Sequence, residues 1–252
     1  MAICEKPKGT PMKVCVCGSG LLAETAWQCL TEVGHELTKS PNEAAVIWLA
    51  YDTPIVNGIA QPEIVAQWAS QTLTEASPGQ LVLVSSQLPV GSVRKMSDKY
   101  THLKFFCSPE NLRTGSAVEN FKNPGRVIIG TPDYPNEVIA SVFTPFCKNL
   151  FWCSIESAEF IKHAINATLA AQIALTNELG QVAIAHGASP AAIEYALRSD
   201  ERIGSKGYYA YGKGGLGQHL SRDVEYLLEM NPEMHVTRGI QRANDDWEES
   251  RG

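Results

Sequence analysis

The chain has 252 residues, 44% of them hydrophobic and 19% charged, and its 21 Lys and Arg against 27 Asp and Glu leave a formal net charge of -6. That composition suits one or two packed globular domains, while the acidic balance, with no basic run longer than Arg94-Lys95, argues against general nucleic-acid binding, which needs several converging cations. No stretch approaches the roughly 18 consecutive apolar residues of a membrane helix, and the opening MAICEKPKGTPMK lacks the apolar middle of a signal peptide, so a cytoplasmic protein with small-molecule or protein partners is expected.

In chain order, MKVCVC (12–17) reads as a buried strand, LLAETAWQCLTEVG (21–34) has helical spacing ending at Gly34, and AAVIWLA (44–50) is a second buried strand. After the turn-rich TPIVNG, PEIVAQWASQTLTEA (62–76) starts a helix at Pro62, SPGQ stops it, and LVLVSSQ (81–87) is the next strand. KFFCS (104–108) and RVIIG (126–130) supply two more. Strands and helices alternating at these lengths predict an α/β fold with a mostly parallel sheet covered on both faces.

The character changes near residue 154. From Ser157 to about His186 the chain is rich in Ala, Leu and Ile, with no Pro and only Gly180 as a glycine, which predicts one long, largely buried helix. Ser189-Pro190 starts another, to about Arg198; GKGGLGQ (212–218) precedes a helix over 221–230; and the tail after Pro232 is polar and partly helical. The expected division is a sheet domain over 1–153 and a helical domain over 154–252.

The seven cysteines, Cys4, Cys15, Cys17, Cys29, Cys107, Cys147 and Cys153, stand mostly among apolar neighbours and read as reduced core residues. Cys15 and Cys17 share one face of a strand, where zinc ligands would need a turn between them, so no metal site is expected.

Four stretches carry chemistry. Gly18-Ser19-Gly20-Leu21-Leu22-Ala23 lies between a strand and a helix, where glycines admit phosphate oxygens and a helix N-terminus offers free N–H groups; a structural glycine turn is the alternative. The acid that usually ends the second strand is missing, since HELTKS (35–40) ends in Lys39 and Ser40, which could meet a 2'-phosphate or simply be a solvated loop. Lys162 and Asn166, four apart on the long helix, can stabilise a developing alkoxide, the bland alternative being that Lys162 simply forms an exposed ion pair with Glu159, and His163 is expected to pack. Glu110, in SPENLR after a strand, suits an acid or base or a helix cap. In GKGGLGQHLSRD, His219 and Asp223 sit four apart where a helix begins, and a histidine there can act as general base.

Together these stretches resemble the UDP-glucose/GDP-mannose 6-dehydrogenases. The resemblance rests on MKVCVCGSGLLA, VIWLAYDTP, SSQLPVGS, SPENLRTG with NPGRVIIG, SAEFIKHAINATLAAQIALTNELG, DERIGSK and GKGGLGQHLSRDVEYL. It implies a Rossmann-type NAD(P)-binding domain followed by an all-helical dimerisation domain, in a cytoplasmic homodimer acting on a small molecule such as a sugar nucleotide. It places cofactor contacts at Gly18, Gly20, Leu21, Leu22, Thr53 and Ser86, catalytic groups at Glu110, Lys162, Asn166, His219 and Asp223, and substrate contacts at Arg202, Gly214 and Gly217.

Several departures from the family pattern shape the expectation. The family's nucleophilic cysteine aligns with His219, so no thioester can form there; the threonine of its Ser-Thr-Val-Pro stretch is Gln87; and a glutamate after Pro-Glu-Phe-Leu is Thr114. The unit between the second strand and VIWLAY is cut out, so the Rossmann domain is trimmed, and the polar tail ends where the family's second nucleotide-fold domain would begin. The expected activity is therefore an NAD- or NADP-dependent oxidation of a CH-OH group limited to one two-electron step, also in keeping with a likeness to the β-hydroxyacid dehydrogenases. The alternative is an inactive descendant that binds a nucleotide, metabolite or protein.

Overall fold

The computed structural model describes residues 11–110, 112 and 115–250; Cys4 and the Thr114 position lie outside them. Contacts divide the chain into two compact units, 1–162 and 163–252, each with its own core.

In the first unit, β1 (Lys13–Cys17), α1 (Leu21–Glu32), β2 (Glu36–Leu37) and β3 (Val46–Leu49) open the fold, followed by a hairpin of β4 (Ile55–Val56) and β5 (Ile59–Ala60). Then come α2 (Pro62–Thr74), β6 (Leu81–Val84), α3 (Ser92–Lys99), β7 (Lys104–Cys107), α4 (Ala117–Lys122), β8 (Val127–Thr131), α5 (Glu137–Phe143) and β9 (Leu150–Ser154). Seven strands form one sheet in the order β2-β1-β3-β6-β7-β8-β9. The first five are parallel, with Val14 to Cys17 aligned on Val46 to Leu49.

Period-two alternation builds both faces. Val14, Val16, Trp48, Leu83 and Phe106 meet α1, α4 and α5 on one side, and Cys15, Ile47, Leu49, Val82 and Phe105 meet α2 and α3 on the other. Trp48 is fully buried between Phe121 and Phe143, and its indole N–H is satisfied by Ser85 Oγ at 2.8 Å. Ser85 Oγ in turn donates to the Ser108 carbonyl at 2.6 Å, tying together the C-terminal ends of β3, β6 and β7.

Because β1 pairs with β2 on one side and β3 on the other, the order reverses at β1, and the crevice of such a sheet opens beyond the carboxyl ends of β1 and β3. The strand expectations hold to within a few residues. Three features differ. The β8-α5-β9 unit runs antiparallel to the other strands, through Cys107 opposite Gly130. The strand β9 has no counterpart among the stretches read from the sequence, and the turn-rich segment after β3 is a hairpin of β4 and β5 around Asn57-Gly58.

The second unit holds most of α6 (Ile155–Ala185), with α7 (Pro190–Ser199), α8 (Gly217–Met230) and α9 (His235–Glu249). Its core is small: Ala170, Ala174, Leu216, Val224 and Ile240, flanked by Ile173, Leu220 and Leu228. Helix α8 begins at Gly217 rather than Ser221, so His219 falls within its first turn. The glycine-rich loop is fixed from α6 by buried Asn177, whose Oδ1 accepts from Gly212 N at 3.2 Å and whose Nδ2 donates to the Gly214 carbonyl at 3.1 Å. No helix among the described residues is long and apolar enough to cross a membrane.

Candidate active site

The first unit supplies a phosphate-type cradle. Gly18 and Gly20 both have positive φ, 146° and 97°. A Cβ on Gly18 would lie 2.2 Å from the Ala50 carbonyl oxygen, so only glycine lets the turn pass this close to β3. Gly20 is the N-cap of α1 and offers no side chain to the free N–H groups of the first turn. Leu22 is buried in the core, so it presents only backbone at the turn, whereas the Leu21 side chain is exposed.

The opposite lip of the crevice is knitted to β6. Ser86 Oγ accepts from Tyr51 N at 2.9 Å, and Thr53, itself buried, donates its hydroxyl to the Gln87 carbonyl. Gly18, Gly20, Thr53 and Ser86 thus gather at the carboxyl ends of β1, β3 and β6. Directly after β2 come Thr38, Lys39 and Ser40, none of them acidic, in a small turn where Ser40 N donates to Thr38 Oγ1 at 3.1 Å; the next acid, Glu43, pairs with Lys13. The backbone fits a dinucleotide diphosphate, and the usual ribose acid is missing. Half-buried Glu110 follows β7 on the same side of the sheet.

Glu159 is not an exposed partner for Lys162. It is buried, and its two oxygens accept from Gly91 N at 2.7 Å and Val93 N at 3.0 Å. It therefore caps α3, whose own N-cap is a glycine. Lys162 is half-buried, one helical turn before Asn166.

In the second unit a polar cluster is closed off from solvent. Asp223 and His163 have no exposed surface, and Asn166 keeps 6%. His163 Nδ1 lies 2.5 Å from Asp223 Oδ1, and Asn166 Nδ2 donates to Asp223 Oδ2 at 2.6 Å. The Tyr226 ring stands edge-on to the imidazole, 5.6 Å between centroids. Burial pushes the Asp223 carboxyl up, but the bonds from His163 and Asn166 outweigh it and hold the group below its ordinary value. His163 is therefore more than packing: it is the second anchor of the acid. Sequence reasoning missed it because its partner lies 60 positions away. Buried Arg222, next to Asp223, was missed as well.

The remaining positions are more open. His219 is exposed. Arg202 is exposed and bonded to Asp200, Nε to Oδ1 at 3.0 Å and Nη2 to Oδ2 at 2.7 Å. Gly214 uses its carbonyl to hold Asn177, and Gly217 starts α8. The six described cysteines are all in the first unit and free. Cys15 Sγ and Cys17 Sγ lie 3.4 Å apart, and this contact, with burial, raises the Cys17 thiol. Burial raises Cys107 and Cys153 too. Among the described residues no cluster of three or more His, Cys, Asp or Glu could hold a metal.

Comparison with known proteins adds a family. Residues 32–147 match the NAD binding domain of the UDP-glucose/GDP-mannose dehydrogenase family, and residues 156–249 match its central domain. The glycine turn at 18–20 precedes the matched residues. The chain is 29% identical over 216 residues to a UDP-glucose 6-dehydrogenase of Pseudomonas aeruginosa, covering 80% of this chain and 48% of that protein. It spans about half the length of the curated relatives it matches. In fold it is similar to a UDP-glucose dehydrogenase from Pyrobaculum islandicum, with TM-score 0.78 at 21% identity over 94% of this chain and 68% of that one. It is also similar to a 3-hydroxyisobutyrate dehydrogenase from Mycobacterium tuberculosis, with TM-score 0.68 at 13% identity, covering 94% and 92% of the two chains.

Proposed function

We propose, for a chain that belongs to the UDP-glucose/GDP-mannose dehydrogenase family, an NAD(P)-linked oxidation of a CH-OH group on a sugar nucleotide or related small molecule, limited to one two-electron step. The observation that carries the catalytic half is the buried Asp223 carboxylate clamped by His163 and Asn166. A sealed carboxylate is costly unless its partners are fixed around it, and here it fixes the amide one turn beyond Lys162.

A dinucleotide bound at the Gly18–Gly20 turn would accept the hydride. The first-turn N–H groups of α1, at Leu21 and Leu22, would hold its diphosphate, with Thr53 and Ser86 shaping the opposite lip. Lys162 supplies positive charge to the developing alkoxide. Asn166 spends one N–H on Asp223 and keeps a second for the substrate oxygen. His219 or Glu110 takes the hydroxyl proton. With histidine where the family thiol would be, no acyl-enzyme forms, so the carbonyl is released unless its hydrate is oxidised directly. Arg202, Gly214 and Gly217 are assigned to the substrate.

We further assign a homodimer in the cytoplasm. On α6, Leu175, Leu179 and Val182 are exposed at 55%, 40% and 58% and recur at the four- and three-residue spacing of one stripe, the self-complementary face that isologous pairing would bury.

The second reading, a binding module without turnover, is favoured by His219 in place of the thiol and by the missing ribose acid. Thermal unfolding with NAD, NADP and sugar nucleotides separates the two. A ligand at 100 times its Kd adds about 2.7 kcal/mol. No stabilisation by either dinucleotide counts against the dehydrogenase, and stabilisation by a sugar nucleotide alone supports the binding module.

A further inference from the structure

We propose that Asp52 determines dinucleotide affinity by placing the chain's own anion at the head of α1. This rests on the dinucleotide reading above. Asp52 follows β3 by three residues, and the backbone on either side of it is pinned. Ala50 N donates to the Cys17 carbonyl at 2.8 Å, Tyr51 N to Ser86 Oγ at 2.9 Å, and Thr53 bonds the Gln87 carbonyl. The side chain is thereby aimed at the glycine turn: a Cβ on Gly20 would lie 1.9 Å from Asp52 Oδ2 and 2.7 Å from its Cγ. The φ of 97° requires glycine at position 20, and the missing Cβ leaves the room in which the carboxylate sits.

The consequence is electrostatic. The first turn of α1 carries N–H groups without intrahelical partners and the positive end of the helix dipole, a place that favours one anion. Its own N-cap contributes no side-chain acceptor, its first turn carries the exposed Glu24, and the acid placed against the N-cap glycine itself is Asp52, just past β3. A diphosphate entering the same turn meets a like charge a few ångströms away in a crevice with protein walls, where such repulsion is strong. The carboxylate must be displaced or neutralised before the diphosphate settles. Asp52 stands in VIWLAYDTP, a stretch whose sequence gave no hint of this placement, because nothing local links it to Gly20.

Isothermal titration of the full chain with NADH, comparing wild type with Asp52→Asn, Asp52→Ala and the control Asp133→Asn, tests the assignment. Asp133 is exposed beyond β8, at the opposite end of the sheet, and changes the net charge equally. Asp52→Asn keeps the shape and removes the charge, so it should bind NADH at least tenfold tighter, with Asp52→Ala similar and Asp133→Asn like wild type. Far-UV circular dichroism confirms that each variant is folded. Wild-type binding with Asp52→Asn equal or weaker overturns the role of Asp52 and leaves the dinucleotide reading standing. Failure of all four proteins to bind NADH overturns both.

Discussion

Asp223 and His163 meet at 2.5 Å with neither side chain exposed to solvent, joining α8 to α6 through a carboxylate whose second oxygen accepts from Asn166. Removing the acceptor leaves two buried donors unmatched. Asp223→Ala should cost about 2–6 kcal/mol of stability, about 1–3 for each stranded buried donor, read by urea unfolding. Loss of less than about 1 kcal/mol would show that the cluster relaxes into solvent.

The same group sets an acid limit. Its folded value lies below the ordinary carboxylate value, about 3.9 in an unfolded chain. Its contribution is therefore complete above that pH and is lost as pH falls from there through the lowered folded value. Asp223→Asn should flatten stability against pH in this window, measured by denaturant titration at a series of acid pH values. An unchanged slope would place the acid sensitivity elsewhere.

His35 is expected to limit stability at milder acidity. It is 5% exposed, and neither ring nitrogen has a hydrogen-bond partner among the described residues. Burial lowers its proton affinity. The unfolded chain takes up a proton near pH 6.5 while the folded chain does not, so stability falls as pH drops below that value toward the lowered folded one. His35→Leu should remove the loss and raise the melting temperature at pH 6. A melting profile that still tracks wild type between pH 7 and 5.5 contradicts this.

Glu159 ties the start of α6 to α3 by accepting from Gly91 N and Val93 N. Glu159→Ala strands two backbone donors and should cost about 1–3 kcal/mol. Glu159→Gln, which retains an acceptor oxygen, should recover part of that. Equal losses in the two variants would mean that charge alone matters at this cap.

Assembly is tested on the exposed stripe of α6. Leu179→Asp and Leu175→Asp should give a monomer by light scattering with the helical content retained. Ile173 is a poorer choice because it packs on the core of its own unit. A dimer of unchanged mass in both variants would refute pairing through this face.

Much of the first unit was legible in sequence because its signals are local. An apolar run, Gly18-Ser19-Gly20 and a helical pattern are adjacent in the chain, and Pro62 and Ser189-Pro190 mark helix starts by what they do to their own backbone. What could not be read depends on partners far along the chain. LFWCS gives a strand that leaves Phe151 51% exposed, so its apolar pattern is weak. The reversed direction of β8 and β9 leaves no trace in a helix-strand rhythm. The hairpin at Asn57-Gly58 did carry a signal, since Asn-Gly between Ile-Val and Ile-Ala favours a tight β-turn. In the site, Lys162 and Asn166 share a helix face and were visible; the His163–Asp223 pair, the cap at Glu159 and the approach of Asp52 to Gly20 each join residues more than 30 positions apart.

The most direct test of the central claim counts reduced nicotinamide. A dehydrogenase carrying histidine where the family has its thiol should form one equivalent of reduced cofactor per molecule of substrate consumed and release a carbonyl product. Two equivalents with a carboxylate product would contradict the single two-electron step, and none with any sugar nucleotide tried would contradict turnover itself.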